Sequence, residues 1–412
     1  MESSSLAAIR EKFTNKAPQL QPAFCLNSRF KQAGCTRCQA VCPADAIQLA
    51  AGQPRLDAER CIHCGLCLNC CPTDVFFQFQ PPEQTLLEAA ATRPEEPVAL
   101  VCAVHPTPAQ TALPVRVGIQ HRRCLAAFTI DQYLGLSRQG ERQVWLDDTP
   151  CATCPIGRVH ETLLATVQAT NQLLIAFQRS PSIHLASQVS TPTPEQRHKV
   201  TVLDGAQPPV SRRALFGRLR QLTNEAARTL EAGTAPATGP DVPVGERLPH
   251  RVPPSRQRLN QQIEHLASAP PSELATAGSP FAQVLVNSAA CSACGLCSRF
   301  CPTGALQLTS ETNAFTLQFM PRLCIDCGIC AQACPEKAIT LGQTLPTSAL
   351  TDTAGQRLAT GPLQRCAQCG AFTAVQPGDQ SAVYCYACRP AATERPSVSA
   401  VRRNLFDRLA GG

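Results

Sequence analysis

The sequence predicts an α+β multidomain chain: two small cysteine-dense blocks flank a small α/β domain, and a four-cysteine segment lies beyond the second block. Three observations predict it. The 25 Cys of the 412-residue chain are bunched, nine within 25–71 and eight within 291–334. Between these blocks, apolar β-rich runs alternate with stretches of helical period. With 1 Trp, 3 Tyr and 15 Phe, the chain lacks the bulky side chains for one large aromatic core, so several small domains are expected.

The cysteines need an explanation before packing does. A disulfide scaffold belongs to an oxidising compartment and needs an export signal, but the N-terminal MESSSLAAIREKF has charged residues where an apolar segment should run. A reducing, cytoplasmic setting is expected, and with it metal or redox chemistry at the thiols. No run of about 18 apolar residues occurs, so no membrane span is expected. No Lys/Arg stripe with interleaved aromatics is present, and nucleic acid is not an expected partner.

The first block and the second share a repeated motif. CIHCGLCLNCCP from Cys61, CSACGLCSRFCP from Cys291 and CIDCGICAQACP from Cys324 all read C-x2-C-x2-C-x3-C-P. Three close thiols on a compact loop can wrap three corners of a cubane, and Gly65, Gly295 and Gly328 let the backbone approach the sulfides. The fourth Cys leaves the loop before a Pro that fixes the exit direction.

This pattern resembles the bacterial two-cluster ferredoxins, in two copies that are expected at 20–82 and 281–345. The resemblance implies tandem motifs with crossed ligation, two [4Fe-4S] clusters per module. In the second copy it assigns Cys291, Cys294, Cys297 and Cys334 to one cluster, and Cys324, Cys327, Cys330 and Cys301 to the other. The first copy departs from the family, because nine residues rather than two separate Cys25 from Cys35. An insertion in the first loop is the simplest account. Cluster one is then assigned to Cys25, Cys35, Cys38 and Cys71, and cluster two to Cys61, Cys64, Cys67 and Cys42. Two alternatives at the first corner stay open: a three-thiolate cluster with an open iron, and ligation by the extra thiol Cys70.

The middle segment, 95–195, reads as a small α/β domain. PVALVCAV and QVWLDD are strand-like, CLAAFTIDQYLGL reads as a helix from Cys124 stopping at Gly140, and HETLLATVQATNQLLIAF has a helical period. Cys102, Cys124, Cys151 and Cys154 would then gather beyond the carboxyl ends of parallel strands, where such sheets hold ligands. The arrangement is loosely similar to the small iron–sulfur subunits of methanogen-type hydrogenase and heterodisulfide reductase assemblies. Three readings of the quartet stand: a fifth iron–sulfur cluster, a thioredoxin-like dithiol in CATC, or four unliganded cysteines.

Two Arg-rich segments follow. SRRALFGRLRQLTNEAARTLEAG reads as an amphipathic helix at 208–232 with Ser211 as N-cap, and VRRNLFDRLAGG echoes it near the C-terminus. They read as ordinary packing helices or as docking peptides. The Pro/Ala/Thr-rich segment 233–280 reads as a flexible linker, so the cysteine blocks are expected to be separable domains; a second low-complexity stretch, LGQTLPTSALTDTAGQRLATG, leads into the last cysteine quartet.

The last quartet, Cys366, Cys369, Cys385 and Cys388, is spaced C-x2-C-x15-C-x2-C within 362–392. Two Cys knuckles at this separation suit one tetrahedral Zn2+ in a zinc ribbon. Rubredoxin-type iron would use the same four thiolates. Each oxidised cluster and a four-thiolate zinc would carry about −2, so four clusters and one zinc would bring the formal charge of +7 to roughly −3.

No catalytic constellation is found, and the 8 His are scattered. The expected function is relay of single electrons to a redox protein partner or within an oxidoreductase complex. The alternatives are an assembly or scaffold factor for an iron–sulfur or molybdenum oxidoreductase, and a redox enzyme subunit reacting at the middle cysteines.

Overall fold

The computed structural model describes residues 2–13, 16–79, 81–93, 96–188, 197–207, 248–267, 272–311, 313–375 and 383–389. The expected Arg-rich helix at 208–232 and its echo at the end of the sequence lie outside the described residues.

The chain begins with helix α1 (Glu2–Lys12), which places Ile9 in the apolar core just ahead of buried Phe13. Two short antiparallel pairings frame the first cysteine block. Gln19–Leu20 pairs with Phe76–Phe77, and Ile47–Ala50 forms a hairpin with Gln53–Leu56. Short helical turns, Arg37–Val41 and Leu66–Cys70, carry each motif from its third thiol toward its fourth.

Helix α2 (Pro82–Ala91) then leads into the α/β unit. Five strands, β1 (Val98–Val101), β2 (Val117–Gln120), β3 (Val144–Leu146), β4 (Ile183–Leu185) and β5 (Thr201–Asp204), form one parallel sheet. Their order is β5-β2-β1-β3-β4. The central strand β1 is VALV and is buried at every position, as expected where both faces of a parallel strand are covered. Helix α3 (Ile130–Leu136) starts at Thr129, whose capping box with Gln132 satisfies exposed N–H groups. The sequence predicts that this helix starts at Cys124. The cap delays it by six residues and leaves Cys124 on extended backbone before a turn, Leu125–Ala127. Helix α4 (His160–Ala176) buries Leu163, Val167, Leu173 and Leu174, a stripe of helical period.

The second cysteine block repeats the first. Gln283–Val286 pairs with Ile339–Gly342, and β6 (Leu306–Glu311) forms a hairpin with β7 (Ala314–Phe319). Here the hairpin is extended by β8 (Gln356–Arg365) and β9 (Phe372–Ala374) into an antiparallel sheet of order β6-β7-β8-β9.

Two expectations about the linkers are corrected. Within 233–280, helix α5 (Pro254–Leu266) buries Leu259, Ile263 and Leu266 against Leu134, Leu173 and Leu174 of the α/β unit and against Phe281, Leu345 and Leu350 of the second block. Those three side chains recur at helical spacing, and burying them outweighs the Pro-rich composition around them. The run following the second block likewise contains β8, whose pairing with β7 supplies ladder bonds that composition does not foretell. The blocks are also not set apart in space. One apolar core runs unbroken from Cys25, Ile47, Leu66 and Phe76 into Leu100, Ile119, Leu146 and Leu163.

Candidate cluster and metal sites

In the second block, two cavities each collect four thiols. One, of about 390 Å3, is lined by Cys301, Cys324, Cys327 and Cys330 together with Phe319 and Ile325. The other, of about 380 Å3, is lined by Cys291, Cys294, Cys297 and Cys334 with Leu308 and Leu317. Each set takes three thiols from one motif and the fourth from the other. Burial, reinforced by the neighbouring thiols, pushes Cys297 up to about 12 and Cys327 to about 12. Such a cage cannot hold four thiolates by itself, whereas a cationic iron–sulfide core would supply the missing charge. Backbone N–H groups are already aimed at sulfur, as where Ala338 N–H donates to Cys334 Sγ at 3.3 Å. The donor set therefore fits a cubane.

The first block makes the same arrangement by a different route. A cavity of about 320 Å3 is lined by Cys25, Cys35, Cys38 and Cys71. The insertion is closed by Asn27, which the sequence did not single out. Its side-chain N–H2 donates to Cys35 O and Gly52 O, both at 2.9 Å, and its Oδ1 accepts from Cys35 N–H at 2.8 Å. These bonds bring the far end of the loop back beside Cys25. Cys70 is half-buried nearby, with its Sγ 3.8 Å from Cys67 O, and is not among the residues lining this cavity. Cys42 lies with the other motif: after burial, it is among the groups that raise Cys61, Cys64 and Cys67. Ala46 N–H donates to Cys42 Sγ at 3.3 Å.

Cys102, Cys124, Cys151 and Cys154 also line one cavity, at about 460 Å3 the largest of the four, beside Phe13, Asp147 and His160. Cys102 follows β1 directly, Cys124 lies four residues beyond β2, and Cys151 and Cys154 follow β3. The carboxyl ends of adjacent parallel strands thus converge there. Burial pushes Cys102 up to about 11 and Cys151 to about 12, and the thiols of the group raise one another. A thioredoxin-like dithiol needs the opposite, a depressed thiol at a helix N-terminus. Cys151 instead sits in a 3-10 turn, Thr149–Thr153, well ahead of α4.

This cavity abuts the first block. Asn69 Nδ2 donates to Ala126 O at 2.9 Å, and Gly65, with φ +83°, lies so close that an added Cβ would stand 2.9 Å from Ala127 Cβ. Beside it a buried Arg123–Glu83 ion pair, joined by His121, pins the sheet to the block. Arg123 is 1% exposed and donates to both carboxylate oxygens of Glu83 at 3.1 and 3.2 Å and to Gln78 Oε1, while His121 Nε2 donates to Glu83 Oε1 at 3.1 Å. Burial alone would raise Glu83, but the Arg123 guanidinium and His121 outweigh it and hold the carboxyl at about 2. Nothing in the sequence marks these three residues as partners.

The last quartet differs in kind. The Sγ atoms of Cys366, Cys369, Cys385 and Cys388 all lie within 4.8 Å of one another, and those of Cys369 and Cys385 are 3.6 Å apart. A tetrahedral ion with metal–sulfur bonds near 2.3 Å needs sulfurs about 3.8 Å apart. Among the described residues this is the one group of metal-ligating side chains gathered so tightly. Backbone N–H groups, that of Cys385 foremost, hold Cys366 down at about 6. All 25 cysteines are free of disulfides, and no described helix is long and apolar enough to cross a membrane.

The paired cages define an iron–sulfur protein of the dicluster type. Residues 33–76 and 290–338 both match the 4Fe-4S dicluster domain, and in these two segments the chain is similar to dicluster ferredoxins. It is 43% identical over 56 residues to an uncharacterized ferredoxin of Methanocaldococcus jannaschii, a match covering 14% of this chain and 34% of that protein. It is 42% identical over 61 residues to one of the subunits of a Na+-translocating ferredoxin:NAD+ oxidoreductase complex of Acetobacterium woodii, covering 15% of this chain and 18% of that relative. The chain therefore spans about a third or less of the length of these relatives. Cys25 and most of the insertion lie outside the matched segment 33–76.

Proposed function

We propose that this chain is an iron–sulfur electron-transfer protein that carries four [4Fe-4S] clusters in two modules, a fifth cluster at the carboxyl edge of the parallel sheet, and one Zn2+ at the last quartet. The ligands are Cys25, Cys35, Cys38 and Cys71; Cys42, Cys61, Cys64 and Cys67; Cys291, Cys294, Cys297 and Cys334; Cys301, Cys324, Cys327 and Cys330; and Cys102, Cys124, Cys151 and Cys154. Bound there, a cubane supplies reversible one-electron chemistry. The protein's part is to space the thiols, exclude water and direct backbone N–H groups at sulfur.

The observation that carries this reading is the composition of the cavities: each of four is lined by four cysteines. Asp147 and His160 line the middle one beside the thiols. That favours a second reading, an oxidoreductase subunit whose substrate reacts at this site. The proposed partner is a redox protein or an oxidoreductase complex in a reducing, cytoplasmic setting. Anaerobic purification of the chain with whatever co-purifies tests it. A stoichiometric oxidoreductase partner and reversible bleaching by a one-electron reductant support the carrier, whereas substrate turnover by the isolated chain would move the function to the middle site.

A further inference from the structure

The nine-residue stretch between Cys25 and Cys35, which holds the insertion, is the feature that the function above does not use. A tolerated surface insertion costs little and stays polar and exposed. This one turns part of its length inward. Leu26 and Asn27 are buried, and Leu26 packs with Ile325 and Ile329 of the second module, with Phe30, Ala33, Phe300 and Ala333 around them. The Phe30 and Phe300 rings meet at 5.1 Å between centroids. Arg29 reaches further. Its guanidinium donates to the carbonyls of Leu248, Pro249, Arg299, Phe300 and Cys301 at 2.6–3.3 Å. Taking a cation partly out of water is tolerated only when its donors are satisfied; the half-buried Arg29 finds its carbonyl acceptors at residues 248–249 and at the exit of the second module's first motif, and its Nη2 also lies 3.1 Å from His250 Nδ1.

We propose that residues 26–34 are a joint that locks the two dicluster modules together with one cage of each face to face. The inference rests on the cluster reading above. The contacts identify which cages meet. Cys35, from the cage of Cys25, Cys38 and Cys71, and Cys327, from the cage of Cys301, Cys324 and Cys330, pack on the same apolar group. On the far side of the first module, Gly65 and Asn69 lie against the turn that follows Cys124. On the far side of the second, Ser292 O accepts from Thr373 Oγ1 and Ala374 N–H, both at 3.1 Å, beside the last cysteine quartet. The five cages therefore stand in a single series, from the sheet edge through both modules. The chemistry such a series supports is one-electron exchange between neighbours, one oxidised as the next is reduced, with no bond or proton changing hands. Without the insertion the series would break into two pieces joined only by other contacts.

The test uses the full chain, prepared anaerobically, with Phe30→Ser, Phe300→Ser and the double variant. Three quantities are read: iron and sulfide content, hydrogen exchange over 324–333, and the EPR spectrum after reduction with dithionite. The joint predicts unchanged iron and sulfide, exchange over 324–333 faster by about tenfold or more, and loss of part of the magnetic interaction between centres. It also predicts that the double variant goes little beyond either single one, because both remove the same contact. Wild-type exchange and spectra in fully loaded variants would overturn the joint. So would iron loss in Phe30→Ser but not in Phe300→Ser, which would assign the insertion to its own cage. Absence of iron and sulfide from the wild type would instead reject the cluster reading, and the exchange data would still decide whether the insertion holds the modules together.

Discussion

Single residues carry unequal loads here, and Glu83 carries one of the largest. It is the counter-charge for Arg123, buried between the first module and the sheet. Glu83→Gln would leave a buried guanidinium without its partner, a loss of about 3–5 kcal/mol. The pH dependence has a fixed sign. Because Glu83 is held at about 2, below its ordinary 4.5, its contribution is fully present above about pH 4.5 and is lost as pH falls toward 2. The stability deficit of Glu83→Gln against wild type should thus be constant near neutrality and shrink below about pH 4.5, and chemical denaturation at several pH values measures it. At the neighbouring module, Cys25→Ser should lower iron content or change one cluster's spectrum, and unchanged iron and spectra would remove Cys25 from the ligand set. That Cys25 lines one cavity with Cys35, Cys38 and Cys71 was legible in the sequence, because the motif lacked a first thiol and Cys25 is the one upstream cysteine. Asn27 and Glu83 were not, since a polar residue in a loop or at a helix start reveals nothing of a partner that the fold brings from elsewhere.

Elements divide by what makes them form. The cysteine loops were legible to the residue, because cluster chemistry fixes their spacing whatever surrounds them. Strand β1 and helix α4 were legible from their apolar patterns. Helix α5 was hidden by averaging: Leu259, Ile263 and Leu266 show a helical period, but the Pro and Ala around them gave the whole stretch the composition of a tether. Strand β8 was hidden for a different reason. Gly361 and Pro362 argue against a strand locally, and only pairing with β7 overrides them. Ile263 is wholly buried between the α/β unit and the second module, so Ile263→Ala should cost about 2–5 kcal/mol in a denaturant titration. Gly65 makes a second test at this scale. Its φ of +83° and the 2.9 Å approach to Ala127 leave no room for a methyl group, and Gly65→Ala should destabilise by about 1–3 kcal/mol, read as a lower melting temperature.

For the molecule as a whole, burial and metal binding are one problem. The thiols that would be ligands contribute to the apolar cores of both modules, and around the cavities burial pushes many of them toward the neutral form. Iron removal therefore leaves cores with voids at their centres, and hydrogen exchange should rise first around the cages while β1, deep in the sheet, stays protected longest. The spacing of the sulfurs sets the last quartet apart: its four Sγ atoms lie within 4.8 Å of one another, and no other cysteine quartet among the described residues is gathered so tightly. The most direct measurement is a joint count of iron, acid-labile sulfide and zinc per chain in an oxygen-free preparation. Cubane cages predict iron and sulfide in equal amounts, about 16 of each from the two modules and about 20 with the sheet-edge site, beside one zinc. Zinc or bare iron filling the quartets with no sulfide would contradict the account.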